Sequence, residues 1–167
     1  SSGNDLTLTN CTLQNNTPYN QVQDLGNGGA VYVSGGTFTM NNSLGTISYC
    51  NANDGGAVYI TGKGTFNMNG GSIADCFATD SAGGGVWMDN GSSFTMSGGK
   101  IERCSSKSEG GGVYVTDSSN PCTFKMLDKA SITECSAENG GGIYLYGKLT
   151  MNGGTILGNS ATRGAGV

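Results

Sequence analysis

The sequence predicts an all-β fold, a parallel β-helix of about six turns, each about 27 residues long with three short strands. Three observations predict it. A glycine-rich start recurs as GGAV at 28–31 and 55–58, GGGV at 83–86 and 110–113, GGGI at 140–143 and GAGV at 164–167, at spacings of 27, 28, 27, 30 and 24 residues. Between these starts the same three apolar patterns return in the same order. The composition fits as well: 31 of 167 residues are glycine, 35 % are hydrophobic and 12 % charged. So few apolar side chains cannot fill a compact globule, but stacked turns need only a handful each.

The first pattern is apolar-aromatic-apolar: Val31-Tyr32-Val33, Val58-Tyr59-Ile60, Val86-Trp87-Met88, Val113-Tyr114-Val115 and Ile143-Tyr144-Leu145. Alternation with period two turns the outer members inward and the aromatic outward. The second pattern is Phe38-Thr39-Met40, Phe66-Asn67-Met68, Phe94-Thr95-Met96, Phe124-Lys125-Met126 and Leu149-Thr150-Met151, with the same parity. The third is an isoleucine followed three residues later by cysteine: Ile47/Cys50, Ile73/Cys76, Ile101/Cys104 and Ile132/Cys135, with Asn159 after Ile156 in that slot. Gly, Asn, Asp or Ser stops each strand and leaves no length for a helix. One unit cannot bury its own apolar side chains. Stacked about 4.8 Å apart, units lay like on like, giving inside columns of Val, Phe, Met, Ile, Cys and small residues. The leading glycines suit a corner with positive φ or a close approach between turns. The right-handed sense is expected, as for parallel crossovers generally.

The whole chain, 1–167, reads as one domain: a degenerate first turn at 1–27, regular turns over 28–163, and the start of another at 164–167. Residues 6–16, LTLTNCTLQNN, repeat the pattern of 149–159, LTMNGGTILGN. The irregular stretch QNNTPYNQVQDLGN is expected to act as a partial cap. The chain stops as a turn begins, so a fragment of a larger surface protein is expected, or a subunit that joins head to tail through open strand edges.

GGAV at 28–31 and 55–58, paired with Phe38-Thr-Met-Asn41 and Phe66-Asn-Met-Asn69, resembles the GGA[I/L/V] and FxxN repeats of the polymorphic outer membrane proteins. Ser97 and Leu127 replace the Asn in later units, and GGG replaces GGA. The resemblance implies a surface-exposed passenger segment of an autotransported adhesin. It implies no ligand.

Several function classes lose support from composition. The chain has no histidine, which removes Ser-His-Asp and Cys-His catalysis and imidazole metal ligands. A net charge of −4 with 8 unclustered Lys and Arg argues against nucleic acid. No apolar run reaches membrane-spanning length. No cofactor and no metal site are expected: DxD clusters, nonapeptide calcium repeats and CxxC spacings are missing.

Three columns are candidate sites. The aromatic file Tyr32, Tyr59, Trp87, Tyr114 and Tyr144 is expected to face out, either stacked on itself or as a contact platform for a glycan or a cell-surface protein. The inward column Cys50, Cys76, Cys104 and Cys135 is expected to be small buried thiols, because parallel Cβ vectors hold the sulfurs badly for bridging. Two positions after the isoleucine, Asp75, Arg103 and Glu134 form an outward ladder. Asp75 and Glu134 would stand roughly 9.6 Å apart, near the spacing of an inverting carboxylate pair, but Arg103 between them favours a surface charge ladder. The file Thr39, Asn67, Thr95, Lys125, Thr150 is too interrupted for an ice-binding face. Sequons at Asn10, Asn15, Asn41 and Asn90 fit glycosylation only in a glycosylating secretory host. The expected function is an extracellular, non-enzymatic rod: an adhesin-like stalk, spacer or filament unit. The competing expectation is a carbohydrate-binding or polysaccharide-degrading β-helix.

Overall fold

The computed structural model describes residues 4–16, 26–41, 43–116 and 120–167. In them the chain coils as the periodicity predicts. Successive turns pair through parallel strands, and the repeats fall in register: Val86 on Val58 and Val113, Phe94 on Phe66 and Phe124, Ile101 on Ile73 and Ile132. The described residues make about five turns. The irregular stretch read as a partial cap lies largely outside them.

Four files of strands line the solenoid. The aromatic file comprises Val31–Ser34, Val58–Thr61, Val86–Met88, Val113–Val115 and Ile143–Leu145. The phenylalanine file comprises Asp5–Leu8, Thr37–Met40, Thr65–Met68, Ser93–Met96 and the first parts of Thr123–Thr133 and Lys148–Leu157. The isoleucine file holds Thr12–Gln14, Thr46–Ser48, Ser72–Ala74, Lys100–Glu102 and the last parts of those two long strands. A fourth file adds to the three expected: Asn51–Ala52, Phe77–Ala78, Ser105–Ser106, Ser136–Asn139 and Ser160–Arg163. Its strands begin at two residues, too short to show a period. What its first three members share is a small buried second residue, Ala52, Ala78 or Ser106.

The interior is the set of columns the repeats dictate. Phe38, Phe66, Phe94 and Phe124 stack with centroids 4.6, 4.5 and 4.8 Å apart, beside equally buried Met40, Met68, Met96 and Met126. Fully burying one such side chain is worth about 1.5–3 kcal/mol, so each turn adds several increments of that size. Two devices turn the corners. Gly55 has φ 61°, the left-handed region, as the first glycine does in the other units. Gly56 has no such φ; a Cβ there would sit 2.7 Å from the carbonyl carbon of Phe77, so the second glycine is fixed by close approach. The other corner follows the isoleucine, where Tyr49, Asp75, Arg103 and Glu134 all adopt positive φ, between 50° and 56°.

Candidate functional site

The aromatic file is a continuous ladder on the outer surface. Tyr32 and Tyr59 lie 5.3 Å apart and 2° from parallel, Tyr59 and Trp87 5.7 Å and 10°, and Tyr114 and Tyr144 5.7 Å and 9°. Trp87 and Tyr114 are closer, 4.3 Å, but tilted by 31°. Register produces this arrangement: each ring is the middle residue of a strand whose two neighbours point inward, so the five rings repeat at the spacing of the turns. The larger indole covers its neighbours, and Tyr59 and Tyr114 are each only 8 % exposed. Tyr32, at one end, is 57 % exposed. The inner rings thus spend their faces on each other and present edges to solvent. The indole Nε1 of Trp87 is buried and has no hydrogen-bond partner among the described residues.

Carboxylates flank the ladder on both sides, a feature the sequence reading passed over. Asp89 directly follows the Trp87 strand. Its Oδ2 accepts from the Tyr59 hydroxyl at 3.0 Å and its Oδ1 from Thr61 Oγ1 at 3.3 Å. Glu109 directly precedes the glycines of the next unit and acts on the Tyr114 and Tyr144 phenols. Burial, then the charge of Glu109, pushes the Tyr114 phenol up to about 12. Burial and the charge of Asp89 push Tyr59 up as well. Tyr144 is raised first by its hydrogen bond to Tyr146, whose hydroxyl lies 3.1 Å away. These phenols therefore stay protonated and remain donors at any ordinary pH. The signal that could have found the acids is positional: an acidic residue one place outside the apolar-aromatic-apolar triplet or the glycine start.

The cysteine column is assembled as expected. Cys50, Cys76, Cys104 and Cys135 are buried and free, and each thiol donates to the carbonyl two residues upstream, at 3.2–3.5 Å. Burial pushes the Cys104 thiol well above its ordinary range. Asparagines close the column at both ends. Asn159 Oδ1 accepts from the Cys135 backbone N–H at 2.8 Å, and Asn16 Nδ2 approaches Cys50 Sγ at 3.9 Å. Cys122, outside the column, is also buried, with its sulfur 3.5 Å from Ser92 Oγ. Cys11 is exposed.

The charge ladder is joined on one side only. Arg103 Nε lies 2.8 Å from Asp75 Oδ1 and Nη1 lies 3.2 Å from Glu102 Oε2, while Lys100 Nζ lies 2.7 Å from Glu102 Oε1. Burial would raise the Glu102 carboxyl, but hydrogen bonds from Lys100 and Arg103 outweigh it and hold the group below the usual carboxylate range. Glu134, next in the file, has no ion pair among the described residues. Two of the three residues are thus brought together and the third stands apart. No cluster of three or more potential metal ligands occurs among the described residues.

The sequence model of a family described as the right handed beta helix region matches residues 1–167, the entire chain. The chain belongs to that right-handed β-helix family. No curated protein and no solved structure matches it.

In this right-handed β-helix the outer columns interact mainly along the axis, from one turn to the next. Asn69 Nδ2 donates to Asn41 Oδ1 at 3.1 Å and Ser97 Oγ to Asn69 Oδ1 at 2.8 Å, while Asn120 Nδ2 donates to Asn90 Oδ1 at 3.2 Å. The tyrosine stack and the Arg103–Asp75 pair follow the same rule. Each such contact makes slippage or opening between neighbouring turns costlier.

Proposed function

We propose that this right-handed β-helix is an extracellular, non-enzymatic rod, an adhesin-like stalk, spacer or filament unit at the cell surface. The observation that carries the reading is the direction of its side-chain contacts. The Arg103–Asp75 pair, the amide ladder and the ring stack each tie one turn to the next, the arrangement a stiff spacer needs. The GGA and FxxN resemblance to polymorphic outer membrane proteins supports the surface location. Buried thiols in the column, shielded from oxidants, are compatible with it. Negative-stain electron microscopy of the purified chain tests the rod, with short straight particles expected. Incubation with a panel of neutral and anionic polysaccharides tests the absence of catalysis, and release of oligosaccharides from any of them overturns it.

One observation favours the competing reading, a carbohydrate-binding or polysaccharide-degrading β-helix. A shallow open trough of about 420 Å³ lies between the phenylalanine and isoleucine files, lined by Ser43, Asn69, Lys100, Lys129, Ser131 and glycine backbone. A glycan array decides between them: saturable binding that Lys129→Ala and Asn69→Ala abolish supports a carbohydrate protein.

A further inference from the structure

The aromatic ladder is continuous, built of oxidisable rings and most exposed at its two ends. We infer that it is a relay for one-electron oxidation, passing an electron vacancy from ring to ring between Tyr32 and Tyr146. Every step of the path is a ring contact. Tyr32, Tyr59 and Trp87 follow one another at 5.3 and 5.7 Å, Tyr114 follows at 4.3 Å and Tyr144 at 5.7 Å. Tyr146 then meets Tyr144 edge to face, with centroids 5.2 Å apart, and its hydroxyl accepts a hydrogen bond from that of Tyr144 at 3.1 Å. Tyr32 and Tyr146, the two ends, are both exposed, whereas Tyr59 and Tyr114 inside are buried.

Chemistry singles out this stack from the other one. Phe38, Phe66, Phe94 and Phe124 are packed at least as closely, but a phenyl ring has no O–H or N–H proton to shed and is far harder to oxidise than a phenol or an indole. A phenol gives up its electron readily when a base stands ready for its proton. Asp89 Oδ2 already accepts from the Tyr59 hydroxyl at 3.0 Å, and Glu109 accepts from that of Tyr114. Trp87 between them differs, because its buried Nε1–H has no partner among the described residues. An oxidised indole there keeps its proton, stays strongly oxidising and draws the next electron from a phenol. Trp87 is thus the stepping stone, and Tyr59 and Tyr114 are the resting places on either side.

The transfer balances. A one-electron oxidant at the surface takes an electron from Tyr32, whose proton leaves to water. An electron from Tyr59 refills Tyr32, which recovers a proton from water, while the Tyr59 proton crosses to Asp89. Trp87 then refills Tyr59, whose proton returns, and Tyr114 refills Trp87 as its own proton moves to Glu109. The same exchange through Tyr144 leaves the vacancy on Tyr146, which loses its proton to solvent. One oxidant is reduced, one proton is released and one neutral tyrosyl radical stands at the far end. This activity goes beyond the rod reading and does not depend on it.

Flash photolysis with a tethered oxidant tests the relay. Cys11 is exposed and the other five cysteines are buried, so Cys11→Ser with Ser34→Cys directs a thiol-reactive ruthenium polypyridyl complex to the exposed end of the Tyr32 strand. A dissolved cobalt(III) ammine takes the excited electron irreversibly and leaves ruthenium(III) as the oxidant. The far end of the ladder lies about 19 Å away along the axis, four turn spacings, beyond a short tether. After illumination of dilute protein, peptide mapping should find oxidised Tyr146. That product should be lost in Tyr59→Phe/Trp87→Phe/Tyr114→Phe, which keeps every ring in the stack but makes the middle inert. Trp87→Phe alone should lower the yield at Tyr146 and abolish the transient indole radical absorption; it decides the matter if circular dichroism shows the triple variant unfolded. An unoxidised Tyr146 in the labelled parent overturns the inference, as does a yield that the folded ring-replaced variant leaves undiminished or that rises with protein concentration.

Discussion

The guanidinium of Arg103 makes two hydrogen bonds to the carboxylate of Asp75, Nε to Oδ1 at 2.8 Å and Nη2 to Oδ2 at 3.0 Å, from 28 residues further along the chain. Both residues occupy the same corner of consecutive turns, and both hold a left-handed backbone, φ 50° and 55°. A strained corner thus carries an axial ion pair. The pair is largely exposed, so it is worth no more than about 1 kcal/mol.

Glycine substitution separates strain from pairing at this corner. Glu134 has φ 56° and no ion pair among the described residues, so Glu134→Gly should raise stability by about 1 kcal/mol. Arg103→Gly relieves the same strain but loses the pair and should come out near zero. Urea unfolding of both variants measures the difference.

Trp87 pairs a favourable stack with a buried, unpartnered indole N–H. Trp87→Phe keeps a ring in the ladder and deletes the orphan donor, which costs about 1–3 kcal/mol when buried. Its stability should match or exceed the wild type despite the smaller ring. Trp87→Ala breaks the ladder and should lose about 3 kcal/mol. If Trp87→Phe is as damaging as the alanine variant, the N–H is satisfied in solution.

The second glycine should tolerate no side chain. Gly56→Ala places a Cβ 2.7 Å from both the carbonyl carbon and the oxygen of Phe77, backbone that cannot step aside without parting the turns. Loss of several kcal/mol, or failure to fold, is expected, read as melting temperature or soluble yield. The third position of the start already alternates between alanine and glycine, as Ala57 and Gly85 show.

Alkaline pH should unfold the protein through the ladder. Burial first, then neighbouring carboxylates, raise the Tyr59 and Tyr114 phenols above the unfolded value of about 10. A raised folded value stabilises the fold fully below the unfolded value, and that stability drains away as pH climbs through the folded one, about 12 for Tyr114. Denaturation midpoints should therefore hold up to about pH 10 and fall beyond it. Phenolate absorbance from the buried pair, Tyr59 and Tyr114, should appear only as the circular dichroism signal collapses.

The phenylalanine column should accept only a comparable apolar volume. Phe94 is fully buried between Phe66 and Phe124. Phe94→Ala should cost about 3–5 kcal/mol, and Phe94→Leu far less, since Leu149 already fills this slot one turn beyond Phe124. Calorimetric melting of the two variants checks it.

Much of this molecule was legible in the chain itself. Repetition at a nearly constant interval, together with period-two alternation, determined the coil, the register and the membership of the Val, Phe, Met, Ile and Cys columns, because stacking places like on like whatever the detailed path. Val58, Phe66, Ile73 and Cys76 could be assigned to the interior from their spacing alone. The fourth strand file could not, since Asn51-Ala52, Phe77-Ala78 and Ser105-Ser106 share only a small second residue.

Tertiary structure decided what the outer columns do. Alternation points a side chain outward but says nothing of its rotamer or its neighbour's. Only coordinates show that Arg103 descends to Asp75 and leaves Glu134 apart, that Trp87 shelters Tyr59 and Tyr114, and that Asp89 and Glu109 border the rings. Period along the chain sets which residues share a column; side-chain torsions and solvent set which of them touch.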